Sequence, residues 1–318
     1  MESSPLTPLL LLHATLRRKL PPSSTKDGDS VVIPRLKTVR AAAPPGSAIA
    51  GFSTTTLPAT AVGPFGDLDD PKLLILTGRN IDKLDLGSFS SVRDAATEVL
   101  EWEDVPVIDI LVNNAGIIAV DYALSAEGHE LHFTTNHLGH FLFTNFIMPK
   151  ILGAAEPRIV NVTSSGRSLS AVRFGDLDFN GGKEYNKWRA YGQSKTANIL
   201  FATSFVKKLG GKGLIAVSVH PGLILTTGFG THISRETEAA NLLAVDLNLD
   251  RTLKPKTEDK GVATHVFASF HPSIKEHNGA YLQDCHVSEA DKDWAKDDGD
   301  AERLWKLSED LVEQEFVY

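Results

Sequence analysis

Two side chains four residues apart, Tyr191 and Lys195 in Tyr-Gly-Gln-Ser-Lys, have the types and spacing to do chemistry together. In a helix they fall on one face. A phenol with an ordinary pKa near 10 is a poor base at neutral pH. An ammonium beside it favours the phenolate and lowers that pKa, so the pair can take or deliver a proton. Alone, Tyr-x-x-x-Lys arises often by chance. Ser164 narrows the reading, because it follows the apolar run 158–163 and so stands at the carboxyl end of an expected strand. A hydroxyl there can donate to a carbonyl oxygen as charge develops on it. Asn161-Val-Thr163 matches a glycosylation sequon, but it falls inside that expected buried strand.

The elements that must position these groups are visible as apolar runs at 73–77, 107–112, 159–162 and 215–219. Continuous runs of strand length are what strands buried on both faces look like in a parallel sheet. Helical patterns lie between them at 90–102, 130–152 and 185–209. Strands alternating with helices predict an α/β fold with a doubly wound parallel sheet, whose ligands bind at the carboxyl ends of the strands. Residues 1–68 differ from the rest. They are rich in Pro, Ser, Thr and Ala, carry Pro-Pro at 21–22 and 44–45, and show no sustained period. They read as an irregular segment ahead of one domain over 69–318.

Composition bounds the rest. A net charge of −8 disfavours nucleic acid and anionic membranes as partners. The single cysteine, Cys285, rules out an intrachain disulfide and fits a cytoplasmic location. The leucines at 9–12 are too few to span a bilayer, and no basic segment precedes them. His129-Glu-Leu-His132 has the wrong spacing for a helical zinc motif, which needs histidines four apart. His137 and His140 gain no carboxylate or cysteine cluster, so no metal is expected. Cys285 beside His286 reads as a small buried thiol.

Taken together, Asn113-Asn-Ala-Gly116 after one strand, Ser164 after the next and Tyr191 with Lys195 beyond it resemble the short-chain dehydrogenase/reductase family. Asn136 in Asn-His-Leu-Gly-His-Phe and His220-Pro-Gly222 extend the resemblance, in order, over about 245 residues. It is nearest the retinol-dehydrogenase-like branch, and within it fungal members of broad substrate range. The resemblance implies a Rossmann-like fold and a carbonyl–alcohol oxidoreductase acting on a small lipophilic molecule, with a role in secondary metabolism by analogy alone. It makes Tyr191 the general acid/base and gives Lys195 two tasks, tuning Tyr191 and bonding the nicotinamide ribose. Ser164 would orient the carbonyl and Asn136 would support a proton relay through water. Asn113 would lie on the adenosine side, Asp85 against the adenine, and Ile224 and Thr226 near the carboxamide. Arg79, with no acid beside it, offers a charge-assisted clamp for a ribose 2′-phosphate and favours NADP(H). The segment 223–250 would form a substrate lid, and the family's habit allows a homo-oligomer.

Two departures flank 73–80. No Thr-Gly-x-x-x-Gly-x-Gly turn follows a strand to cradle a pyrophosphate at a helix N-terminus. Only five residues separate Arg79 from Asp85, too few for a crossover between buried parallel strands. The sheet is therefore expected to be incomplete in its N-terminal half, with unpaired groups at its centre, and the chain weakly active or inactive. Lost or misread coding segments account for both gaps, and so does decay into a catalytically inactive binding protein. A sugar-nucleotide epimerase also uses Tyr-x-x-x-Lys, but the Asn-Asn-Ala-Gly element and the short C-terminal region oppose that reading.

Overall fold

A computed structural model describes residues 52–57, 72–77, 84–224, 255–290 and 292–318. Seven strands form one sheet: β1 (Phe52–Leu57), β2 (Lys72–Thr77), β3 (Ile110–Asn113), β4 (Arg158–Val162), β5 (Ile215–His220), β6 (Tyr281–Gln283) and β7 (His286–Ser288). Their order across the sheet is their order in the chain. β2 to β6 run parallel, and β1 and β7 pair antiparallel at the two edges. The class is α/β and Rossmann-like, with a mixed rather than wholly parallel sheet.

The long helices are α1 (Phe89–Glu101), α2 (Gly139–Leu152), α3 (Lys187–Leu209), α4 (Glu258–Phe270) and α5 (Asp298–Leu311). Side chains alternate across each strand. Ile75, Leu111, Ile159 and Ala216 pack under α1, α2 and α3. Ile110, Val112, Val160, Val162, Ile215, Val217 and Val219 point the other way and pack with Ala268 and Phe270 of α4. Burial on both faces is why these runs are mostly apolar, and the buried Asn113 and Asn161 meet it by bonding each other. α3 starts cleanly because Asn186 accepts from the backbone N–H groups of Trp188 and Arg189. α5 lies over α2 and α3 through Trp305, whose ring stands edge-on to Phe141 at 5.0 Å and to Phe205 at 5.5 Å. Among the described residues no helix is long and apolar enough to cross a membrane.

Three expectations need correction or refinement. The segment read as irregular contains β1, where Thr54, Thr55 and Thr56 supply the β-branched residues a strand favours. The remainder of 1–68 lies outside the described residues. The expected unpaired sheet centre is not there either. β2 pairs along β3, and β1 pairs residue for residue along β2. The third, on the short stretch before Asp85, falls largely on residues 78–83, which lie outside the described residues. Leu84 makes a single bridge, the chain turns at Leu86–Gly87, and α1 begins.

The turn at 84–88 is fixed by a close approach. A Cβ built on Gly139 would stand 2.3 Å from the Leu86 carbonyl oxygen, so α2 and the turn can touch only through a glycine. Gly139→Ala must push the two apart. It should destabilise the fold by roughly 2 kcal/mol, in the range for overpacking a filled site. A urea midpoint unchanged from wild type would show that the contact carries no strain.

Candidate active site

β4 ends at Val162, and two residues later Ser164 is extended, with φ −156° and ψ 161°. Its Oγ accepts from the backbone N–H of Gly166 at 3.1 Å and faces the Tyr191 phenol, whose pKa it acts to lower. Tyr191 is nearly buried, and its ring lies against Gly166, where a Cβ would come within 2.6 Å of Cε1. One turn along α3, Lys195 is buried too. Its Nζ donates to the carbonyl of Val162 at 3.2 Å and stands 5.7 Å from the Tyr191 ring centroid. Thr163 Oγ1 donates to the Lys195 carbonyl at 2.7 Å and fastens α3 to the end of β4. The structure thus brings Ser164, Tyr191 and Lys195 together where the sequence places them.

Asn136 joins them from a π turn, Thr134–Leu138, that interrupts the helical segment leading into α2. Such bulges recur at functional sites because they re-aim a side chain. Asn136 Oδ1 accepts from Ile117 N–H at 2.8 Å, and its Nδ2 donates to Ile117 O at 3.0 Å and to Ser194 Oγ at 2.9 Å. Ser194 in turn donates to the carbonyl of Tyr191 at 2.7 Å. The Asn136 side chain therefore ties the loop after β3 to the helix that carries Tyr191.

The electrostatics differ from the expectation. Burial pushes the Tyr191 phenol up to about 12, against an opposing effect of the Ser164 hydrogen bond. The Lys195 Nζ is directed at the Val162 carbonyl, and burial of the phenol outweighs the charge beside it. Burial pulls Lys195 down to about 8. At pH 7 the phenol is thus a protonated acid beside a lysine that still holds its charge.

Other expected site residues are dispersed. Asn113 turns inward, its Nδ2 donating to Asn161 Oδ1 at 2.9 Å and Thr144 Oγ1 at 3.0 Å, so its side chain is used in the sheet and not toward an adenosine. Asp85 Oδ1 accepts from Gly87 N–H at 2.8 Å and shapes the turn before α1. Ile224 packs on α4, where a Cβ at Gly261 would meet its Cδ1 at 2.1 Å. Arg79, Thr226 and most of the expected lid lie outside the described residues. One residue, Thr77, went unrecognised in the sequence. Thr77 Oγ1 accepts from the N–H groups of Asn114 and Ala115 at 2.9 and 3.2 Å and so sets the Asn-Asn-Ala-Gly loop. A hydroxyl residue ending the strand beside that loop was the available signal. His220, at the end of β5, has neither ring nitrogen hydrogen-bonded, and burial pulls it down to about 4.

The donor set of Ser164, Tyr191 and Lys195 suits the nicotinamide end of a dinucleotide. A Cβ on Gly116 would stand 2.8 Å from Asn136 Oδ1 and 3.4 Å from Lys195 Nζ, so only a glycine lets the loop after β3 pack this closely beside the ammonium. A glycine cradle for the pyrophosphate is not among the described residues.

Because the folded protein depresses the Lys195 pKa, the unfolded chain binds more protons between about pH 8 and 10.5, and stability rises with pH across that window. Removing the amine should release that penalty, about 3 kcal/mol at pH 7. Val162 O keeps its second donor, Asn198 Nδ2 at 3.0 Å. Lys195→Met should therefore melt several degrees higher than wild type at pH 7, with the gap closing toward pH 10.5, while cofactor affinity and turnover fall. A lower melting point at pH 7 would refute the buried charge.

Comparison with known proteins agrees with the geometry. The family model described as short chain dehydrogenase matches residues 81–238. Retinol dehydrogenase 14 of Mus musculus is 35% identical over 232 residues, covering 73% of this chain and 66% of that protein. Retinol dehydrogenase 11 of the same species is 33% identical over 254 residues, covering 78% of this chain and 75% of its own length. Among solved structures, an uncharacterized protein from Mycobacterium paratuberculosis superposes with a TM-score of 0.51 at 29% identity, covering 74% of this chain and 76% of that one. Similarity of this extent, together with the half-buried serine beside the buried tyrosine and lysine, means that the chain belongs to the short-chain dehydrogenase/reductase family, in its retinol-dehydrogenase-like branch.

Proposed function

We propose that this protein interconverts a carbonyl and an alcohol on a small lipophilic substrate, with NADP(H) as the hydride carrier. The observation that carries the reading is the meeting of Ser164 at the end of β4 with the buried Tyr191 phenol and the buried Lys195 ammonium one turn along α3. A bound nicotinamide would exchange a hydride with the substrate carbon. Ser164 donates to the carbonyl oxygen and holds it beside Tyr191. As charge gathers on that oxygen, Tyr191 delivers its phenolic proton, being protonated at pH 7 yet still a stronger acid than an alcohol. The Lys195 charge then stabilises the phenolate left behind. In the oxidative direction the same groups run in reverse.

Two features support the substrate and cofactor class. Ile118, Ala119, Leu169 and Trp188 form an apolar cluster next to these elements, suited to an aliphatic or aromatic body. Arg79, without a neighbouring acid, suits a 2′-phosphate. The relatives' names state retinol, which is lipophilic in the same sense. The competing reading is a binding protein without turnover. The strand order favours it, since the described strands never reverse direction across the sheet as they do at a dinucleotide crevice.

The test is NADPH oxidation with medium-chain aldehydes, aryl ketones and retinal. Tyr191→Phe should lower kcat at least about 100-fold with the fold intact. NADPH should bind about 10- to 100-fold more tightly than NADH, and Arg79→Ala should remove that preference. NADPH binding without turnover on any of these carbonyls would leave the binding-protein reading. Equal affinity for the two cofactors would sink the NADP(H) assignment.

A further inference from the structure

The segment 117–120 runs from the Asn-Asn-Ala-Gly loop past the active site in an unfavourable conformation, with Ala119 at φ 48°. Something must hold it there. Asn136 holds one end through both backbone groups of Ile117. The other end, Val120, is also held through both backbone groups. Its N–H donates to His132 Nε2 at 3.2 Å, and its carbonyl accepts from the Tyr185 hydroxyl at 3.1 Å.

His132 is fully buried, and its tautomer follows from its contacts. Nε2 accepts, so the proton sits on Nδ1 and is donated to Glu130 Oε1 at 2.9 Å. Glu130 is buried as well. It accepts from the backbone N–H groups of His132 and Phe133 at 3.0 and 2.8 Å, which fixes the carboxylate. The Tyr185 hydroxyl lies 3.3 Å from the same carboxylate oxygen. The His132 ring also stands edge-on to Tyr191, with centroids 6.3 Å apart. One imidazole therefore touches both the strained segment and the tyrosine. Between its anchored ends the segment presents Ile118 and Ala119 to Leu169 and Trp188.

We propose that His132, backed by Glu130 and Tyr185, is a positioning residue that holds 117–120 as a fixed apolar wall of the substrate site beside Tyr191. The Glu-x-His pair, which fails as a metal motif, thereby gains a role in substrate affinity. This rests on the carbonyl–alcohol reading of the same site.

Glutamine and asparagine separate the two imidazole nitrogens, since a Gln amide reaches the Nε2 position and an Asn amide the Nδ1 position. His132→Gln keeps an acceptor for Val120, and His132→Asn does not. Hydrogen–deuterium exchange of the peptide spanning 117–122 should quicken about tenfold in His132→Asn and Tyr185→Phe, from loss of one hydrogen bond, and stay near wild type in His132→Gln. With NADPH and decanal, His132→Asn should raise KM at least about fivefold with kcat within about threefold, and His132→Gln should recover the wild-type KM. Unchanged exchange in His132→Asn overturns the proposal whatever the activity, and so does an equal KM defect in the Gln and Asn variants. Should wild type show no turnover while exchange follows the predicted pattern, the brace stands and the oxidoreductase reading fails.

Discussion

Lys195 holds its Nζ 3.2 Å from the carbonyl oxygen of Val162, in a place that water barely reaches. A charge there is expensive unless the surrounding groups are fixed, because a low-dielectric interior neither solvates it nor lets it wander. The structure fixes them from several sides. β4 supplies the acceptor, Thr163 ties the Lys195 backbone to the strand end, and Asn198 shares the Val162 carbonyl. α3 is buried under α5 on one side and against β4 and β5 on the other, so the ammonium and the phenol cannot move apart. The burial that suits Tyr191 and Lys195 to proton transfer is also what makes Lys195 destabilising at neutral pH.

How much of this could be read from residues alone depends on what each residue's neighbours decide. The runs at 73–77, 159–162 and 215–219 were legible because a strand buried on both faces is mostly apolar, with few polar side chains. The Tyr191–Lys195 pair was legible because helical spacing alone puts the two on one face. Ser164 was legible because a strand end fixes its place. Asn113 was half legible. Its motif marks the position as important, but only the register that sets it beside Asn161 shows that its amide faces the sheet. The Tyr191 pKa was read in the wrong direction, because spacing shows proximity but not how completely the phenol is buried.

β1 escaped notice for a different reason. Its threonines favour a strand, yet turn-forming residues surround them and its partner among the described strands, β2, is a tertiary neighbour. The π turn at Asn136 and the Glu130–His132–Tyr185 brace likewise depend on groups far apart in the chain meeting in three dimensions. The sheet order shows the same division. Local pattern announces each βα unit, but the place of β2 against β3, with no reversal among the described strands, is a property of the whole sheet. The groups proposed as catalytic are carried by β4, α3 and the segments after β3, which lie within the stretch that the family model matches. That is why the catalytic half is coherent by itself.

The claim that these groups serve hydride transfer is tested most directly by following the hydride. NADPH carrying deuterium at the transferable C4 position, incubated with the enzyme and a medium-chain aldehyde, should yield an alcohol heavier by one mass unit, with the label on the carbinol carbon. The alcohol should not form with Tyr191→Phe. Unlabelled alcohol, or labelled alcohol formed equally well without the Tyr191 hydroxyl, would contradict the account.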